Sequence, residues 1–197
     1  MSFHTSFKWL EKAISFIDKF TESTGKLIAW LTFAMVVFSF AIVVLRYGFN
    51  VGWVAMQESV LYFHGIVFML GAAYTLKADG HVRVDIFYQR FSKKQQAMVN
   101  LFGALFLLTP VCITIFIISF DYVAVSWQIM EKSSEAGGLP LVYLNKSLIL
   151  LLAATLLLQG LAEIGRNFLI INNSAHHQDD PHEPNNSQQP NNTAGDV

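Results

Sequence analysis

Long apolar runs alternate with short polar stretches along this chain, and their lengths predict four membrane-spanning helices. The first run, residues 27–45, has 19 residues without a charge. As an α-helix it covers about 29 Å, the thickness of a bilayer's hydrocarbon core. Three further runs lie at about 51–76, 97–127 and 142–162. The pattern therefore predicts an all-α integral membrane protein, with a membrane domain at 27–166.

Two polar stretches carry a helical repeat of apolar residues, and each predicts an amphipathic arm helix at the membrane surface. In the arm at 1–26 the repeat consists of Phe3, Phe7, Leu10, Ile14 and Ile17. In the arm at about 82–94 it consists of Val84, Phe87, Tyr88 and Phe91. Such helices lay their apolar face in the lipid interface, with basic residues near the headgroups. The pattern leaves open whether each arm floats on lipid or clasps a partner.

Lysine and arginine are shared unequally among the polar stretches, and their distribution predicts the orientation in the membrane. Ten of the 13 lie in the N-terminal stretch, the loop between spans two and three, and the C-terminal segment. Basic residues favour the cytoplasmic side, so both termini are predicted to be cytoplasmic. Residues 167–197 are predicted to be a disordered cytoplasmic tail, because the end of the chain lacks an apolar repeat.

Composition narrows the class of protein further. The chain is 53% hydrophobic and 14% charged, whereas soluble domains are roughly a quarter charged, so a soluble all-α bundle is disfavoured. The net charge of -1 gives no reason to expect nucleic-acid binding. No nucleophile–base pair, phosphate-binding loop, CxxC or HExxH occurs. We therefore expect no enzymatic activity, no cofactor and no metal site.

Four short motifs carry a resemblance to a known family. The second span opens with WVAMQESVLYF and closes with FMLGAAYTLKADGHVRVDIF, the third loop contains SSEAGGLP, and LLLQGLAEI leaves the fourth span. In this order on a four-span chain, they resemble the small membrane subunit of tripartite ATP-independent periplasmic (TRAP) transporters, over roughly residues 25–165. That family often has paired acids where Gln57 precedes Glu58 here. A two-carboxylate site is therefore not expected.

The resemblance implies an accessory role in a sodium-driven importer of the bacterial inner membrane. In such transporters a periplasmic binding protein captures an organic acid, such as a C4-dicarboxylate or a sugar acid like sialic acid. A large membrane subunit carries the acid inward by an elevator motion. The small subunit packs on the fixed scaffold of the large one, helps to anchor it in the bilayer, and helps to dock the binding protein.

Two other classes of function are weighed against this interpretation. A membrane anchor of a respiratory enzyme also uses a few helices, but it normally needs axial histidines or a quinone pocket. Only one histidine, His64, lies within a predicted span. A stand-alone channel or small exporter is the other alternative, and it should transport when reconstituted alone.

Glu58 and His64 are the candidate functional residues within the second span. A charged side chain there costs about 2.5–3.5 kcal/mol on insertion scales, so Glu58 is expected to face protein, water or the interface. It either pairs with a group on the large subunit, caps a neighbouring helix, or is simply hydrated near the membrane surface. His64 is expected to be a hydrogen-bonded packing residue.

The remaining candidates lie in the loops. A structural role in the polar turn after span two is expected for His81, Arg83 and Asp85. Contact with the large subunit is expected for Phe87 and Phe91. In the third loop, contact with the periplasmic binding protein is expected for Glu131, Glu135 and Pro140.

Overall fold

The computed structural model describes the backbone of residues 3–80, 88 and 90–176, and the side chains of 8–80, 88 and 90–172. All regular structure in this part is helical. The helices are α1 (Phe3–Phe49), α2 (Val54–Lys77), α3 (Lys93–Gly103), α4 (Thr109–Gln128) and α5 (Val142–His176). A π-helical turn, Ala104–Leu108, joins α3 to α4 into one continuous helix. Among the described residues, four helices are long and apolar enough to cross a membrane, as predicted.

Two helices extend beyond the predicted spans. The 47 residues of α1 run without a break through position 26, where the prediction divided arm from span. This helix measures about 70 Å, more than twice the hydrocarbon thickness. It is this long because the amphipathic segment continues into the apolar segment without a proline between them. Residues 3–26 of α1 are called the N-terminal extension below. Helix α5 runs to His176, beyond the predicted start of the tail at 167.

Ser92 fixes the start of α3 and limits the second predicted arm. Its Oγ accepts the N–H of Gln95 at 3.3 Å, and the Gln95 side chain accepts the N–H of Ser92 at 2.9 Å, which is a capping box. Residues 90–92 are not helical, whereas the prediction carried the arm helix to 94. Residues 81–87 and 89, which hold most of that arm, lie outside the described part, as do 177–197 of the predicted tail.

Pro110 accounts for the π-helical turn. A proline has no N–H to donate, and its ring clashes with the carbonyl four residues earlier. The turn before it is wider: the N–H of Thr109 bonds to the carbonyl of Ala104, five residues back. The hydroxyl of Thr109 donates to the same carbonyl at 2.8 Å. The α3–α4 helix therefore continues through the proline.

Helix α5 is the centre of the fold. It packs against all four other helices, while α1 packs on α2, and α1 and α4 make no extensive contact. In the most apolar stretch of α5, 33% of the residues are buried, against 6% in α1, 6% in α2 and 11% in the α3–α4 helix. The transmembrane helices thus form an open row, α1–α2–α5–α4, and large apolar side chains remain exposed along the outer helices.

Candidate functional site: two polar clusters at opposite ends of the helices

The first cluster is built around Glu58, near the start of α2. Its Oε2 accepts the backbone N–H of Leu139 at 2.6 Å, and its Oε1 accepts a short hydrogen bond from the hydroxyl of Ser133. Both donors belong to the connection between α4 and α5, residues 129–141, called the 129–141 loop below. One carboxylate therefore holds this loop at two points. Glu58 therefore contacts a loop of its own chain, and the predicted contact with the large subunit stays a prediction.

The two glycines of the 129–141 loop have different roles, and only Gly138 lies against the Glu58 carboxylate. Gly137 has φ +78°, a conformation that favours glycine. A Cβ on Gly138 would lie 2.5 Å from the Oγ of Ser133 and 2.8 Å from the Oε1 of Glu58. The N–H of Ser133 donates to the carbonyl of Leu139 at 3.1 Å and closes the turn. A side chain at position 138 would therefore collide with Ser133 and Glu58, whereas glycine at 137 is favoured by its backbone conformation.

A second acid, Glu131, anchors the start of the same loop. Its Oε2 accepts the Nζ of Lys146 at 2.5 Å and the hydroxyl of Ser126 at 2.6 Å. The Lys146 ammonium also lies 4.1 Å from the centre of the Tyr122 ring, a cation–π contact. The hydrogen bond from Lys146, followed by that from Ser126, lowers the pKa of Glu131 below its ordinary value. Glu131 is therefore an ionised link between the loop, α4 and α5.

The three loop residues predicted to contact a binding protein differ in whether their side chains are exposed or bonded within the chain. Glu131 is held inside its own chain by Lys146 and Ser126. Glu135 and Pro140 are exposed on the outer surface of the loop. The surface that the Glu58 cluster presents outward thus includes two of the three predicted residues.

The second cluster joins the N-terminal extension to α5 through Asp18. Its Oδ2 accepts the Nη2 of Arg166 at 2.7 Å, and its Oδ1 accepts the Nε2 of Gln159 at 3.0 Å. Gln159 is completely buried, and its Oε1 accepts the hydroxyl of Thr21 at 2.8 Å. The polar side chain at the centre of this interface therefore has both ends of its amide occupied, as a buried amide requires.

Lys77 brings the end of α2 into the Asp18 cluster. Its Nζ donates at 3.0 Å to the backbone carbonyl of Asp18 and at 3.0 Å to the Oε2 of Glu22. The N-terminal extension and the ends of α2 and α5 therefore lie at the same end of the molecule. Glu58 lies 19 residues before Lys77 on α2, about 28 Å along the axis. The two clusters thus occupy opposite ends of the helices.

The N-terminal extension also packs through apolar contacts. A Cβ on Gly165 of α5 would lie 3.1 Å from the Cδ1 of Ile14 and 3.4 Å from that of Leu10, so the helices approach closely there. On another face of the extension, Trp9 and Phe16 are 76% and 74% exposed. One face of the predicted arm therefore packs against its own chain, and a second apolar face is bare.

The other predicted residues have varied positions. His64 is exposed and stacks on Phe68, with 6.3 Å between ring centres. Within the described residues it has no hydrogen bond, because its position on α2 points away from α1 and α5. The hydrogen-bonded packing role predicted for it therefore stays a prediction. Phe91 is 40% exposed. The residues that lie outside the described part are His81, Arg83, Asp85 and Phe87.

Sequence reasoning missed the Asp18 cluster. Asp18 did not stand out, because other charged residues surround it, and Gln159 was not singled out although it lies in the apolar run LLLQGLA. A signal was nevertheless present on α5, where the polar positions repeat with helical spacing after an apolar span: Gln159, Glu163, Arg166 and Asn167. Three of them are linked, since the Glu163 carboxylate accepts from both Arg166 and Asn167. Such a polar stripe on one helix face predicts a partner helix.

These observations define a multi-pass membrane protein whose polar groups are concentrated at the ends of its helices. No group of three metal-binding side chains is assembled in the part of the chain that the structure describes. The family model described as "Tripartite ATP-independent periplasmic transporters, DctQ component" matches residues 20–169. This chain therefore belongs to the DctQ family, the small membrane component of TRAP transporters. Comparison with curated proteins and with solved structures gave no match.

Proposed function

We propose that this chain is the accessory scaffold subunit of a sodium-coupled TRAP transporter that imports an organic acid. Its direct partner is the large membrane subunit, against whose fixed scaffold it packs in the inner membrane. It also helps to dock the periplasmic binding protein. The substrate class, a C4-dicarboxylate or a sugar acid such as sialic acid, is recognised on the other chains. Family membership and the open row of helices support this proposal.

The observation that carries the scaffold role is the open row itself. A carrier that works alone encloses its substrate between helices, whereas an open row has no enclosed interior. Large apolar side chains are bare on all the spanning helices, including Phe33 and Phe40 on α1 and Ile117 on α4, which are 63%, 69% and 65% exposed. Such surfaces need lipid or a second membrane protein to cover them.

The positions of the ionisable groups support the same conclusion. Glu58, the acid near the start of the second predicted span, has both oxygens engaged by the 129–141 loop. A sodium site needs several oxygen ligands, and a single carboxylate whose two oxygens already accept hydrogen bonds from a loop does not supply them. Its role in the proposal is to hold a loop. Sodium and substrate are then bound by the large subunit.

The docking role rests on the 129–141 loop. With both termini cytoplasmic, this loop faces the periplasm, since the Asp18 cluster and the loop lie at opposite ends of α2 and α5. Glu58 and Glu131 fix the loop in one conformation, and Glu135 and Pro140 project from it. A fixed loop loses little conformational entropy on binding, so it suits recognition of a soluble partner.

Reconstitution tests the proposal. The small subunit, the large subunit, and both together are placed in liposomes with the binding protein, an inward sodium gradient and labelled organic acids. Uptake is expected only with both membrane subunits present. Uptake by the small subunit alone would make it a carrier, and full uptake by the large subunit alone would remove the scaffold role.

Two sets of variants separate the partner contacts. Replacing Glu135 by lysine is expected to raise the binding-protein concentration needed for half-maximal uptake and to leave the membrane complex intact. Charging the second arm with Phe87→Asp or Phe91→Asp is expected to reduce the amount of large subunit that co-purifies. An intact complex with normal uptake in both arm variants would leave that arm as a lipid-binding segment.

A further inference from the structure

One face of α2 combines exposure with a polar residue at the middle of the bilayer. The exposed positions are Leu61, His64 and Phe68, followed by Gly71, where a Cβ would meet open space. Their spacing of three, four and three places them on a single helical face. His64 lies ten residues after Val54, about 15 Å along the axis and half the thickness of the hydrocarbon core. We call these four positions the His64 face.

The other faces of α2 are occupied within the chain. A Cβ on Gly65 would lie 3.1 Å from the Oδ1 of Asn145, so this position packs on α5. The Phe63 ring packs edge-on against Phe38 of α1, with 5.3 Å between ring centres. The His64 face therefore points away from both neighbouring helices.

Hydrocarbon is a poor environment for this face. An imidazole needs a hydrogen-bond partner, and a polar group left unpaired in lipid costs several kcal/mol. The contact of His64 with Phe68 supplies no hydrogen bond. Exposed surfaces elsewhere differ: residues 27–45 of α1 and 111–120 of α4 contain no charged residue and no histidine. Those surfaces suit lipid, whereas the His64 face suits a helix that presents a polar group.

We infer that the His64 face is the surface of this subunit that receives a transmembrane helix of the large membrane subunit, with a hydrogen-bonding group of that helix opposite His64. The inference rests on the proposed function, which supplies the large subunit as partner. Gly71 fits the same occupant, because a missing side chain on an exposed face lets a second backbone approach closely. Phe68 and Leu61 then provide the apolar contact on either side of the hydrogen bond.

Photo-crosslinking in the intact complex tests the location. Benzoylphenylalanine is placed at position 61 or 68 on the His64 face. The controls are position 37 on α1 and position 117 on α4, whose side chains are 47% and 65% exposed. Crosslinks to the large subunit are expected from 61 and 68 and not from 37 and 117. Crosslinks from 61 and 68 only to lipid or to a second copy of this chain would overturn the inference, as would equal crosslinking from all four positions.

Substitution of His64 tests the hydrogen bond. His64→Leu is expected to reduce the large subunit retained after dilution in mild detergent by about 3-fold to 16-fold, since such bonds contribute about 0.6–1.7 kcal/mol. His64→Gln, which keeps hydrogen-bonding capacity, is expected to retain most of it. Equal retention in both variants would contradict the hydrogen bond.

The two proposals fail in distinguishable ways. If the wild-type chain does not co-purify with the large subunit at all, the proposed function is wrong and this inference with it. If the complex forms and crosslinks arise from positions 37 or 117 but not from 61 or 68, the scaffold role stands and only the docking face is wrong.

Discussion

The Glu58 cluster and the Asp18 cluster differ in what their polar groups hold. At one end of the helices, Glu58 accepts hydrogen bonds from the backbone and a hydroxyl of a single loop. At the other end, Asp18 binds two side chains of α5, which are 141 and 148 residues away in the sequence. The first arrangement fixes the conformation of one loop, and the second fixes the position of one long helix on another.

The two clusters also differ in how far their residues are exposed. The Asp18 cluster is turned inward: Gln159 is fully buried and Thr21 is 5% exposed. The Glu58 cluster is turned outward, with Glu135 and Pro140 exposed beside the buried bonds. We therefore expect damage at Asp18 to alter the packing of the whole chain, and damage at Glu58 to alter mainly one loop. Four substitutions or conditions test this contrast.

The largest effect is expected from Glu58→Ala. It leaves the N–H of Leu139 and the hydroxyl of Ser133 without their charged acceptor, which we expect to cost about 3 kcal/mol, because bonds to charged groups contribute about 1.5–3 kcal/mol each. Faster proteolysis within the 129–141 loop of the purified protein measures the loss. Gln57→Ala, next to it on α2, is the matched control. Unchanged cleavage in Glu58→Ala would show that other contacts hold the loop.

Gln159→Leu is expected to have the next largest effect. It leaves the hydroxyl of Thr21 and one oxygen of Asp18 unpaired in a buried site, at a cost of about 2 kcal/mol. Thermal unfolding followed by circular dichroism should show a lower midpoint, with cleavage of the 129–141 loop unchanged in the native protein. Thr155→Val is the control, because that hydroxyl donates only to carbonyls of its own helix. A loop that becomes sensitive in Gln159→Leu would break the proposed division between the clusters.

A smaller effect is expected from Lys77→Met. The ammonium of Lys77 is partly exposed, and its bonds to the Asp18 carbonyl and Glu22 should contribute about 1 kcal/mol. Accessibility of a cysteine introduced at position 21 measures whether the N-terminal extension loosens from α5. Lys19→Met on the exposed side of the extension is the control. Equal accessibility in both variants would mean that Lys77 adds nothing to the bonds of Asp18 with Gln159 and Arg166.

The smallest effect is expected from mild acid. The pKa of Glu131 in the folded chain is lowered from its ordinary 4.5, so its contribution to stability is present above 4.5 and is lost as the pH falls through the lower folded value. The difference between the unfolding midpoints of wild type and Glu131→Gln should therefore stay constant between about pH 7 and pH 5. It should become smaller only in stronger acid. A difference that narrows already near pH 6 would mean that the Lys146 bond does not hold Glu131 ionised.

Sequence reasoning singles out a residue that contrasts with its surroundings. Glu58 stands out because an acid in an apolar run needs a partner, although its partner could not be named. Asp18 was missed because it lies among other charged residues, and its bonds to Gln159 and Arg166 join segments more than 140 residues apart. Periodicity describes one helix at a time, so it contains no information about which polar faces meet.

His64 also shows that the sequence does not determine which face of a helix meets its neighbours. The sequence shows a histidine in the middle of a span, and a hydrogen-bonded packing role was the natural expectation. The packing of α2 between α1 and α5 turns that position outward, and this rotation depends on Phe63 and Gly65 fitting their neighbours.

The sequence by itself determined the class of this protein: apolar runs long enough to cross a bilayer, separated by polar stretches, have no other low-energy arrangement than membrane helices. Only the tertiary structure decided that these helices form an open row around α5, and that Glu58 and Asp18 work at opposite ends of it. Whether a segment enters the membrane depends on its length and composition. The order and rotation of the helices depend on how individual side chains fit together.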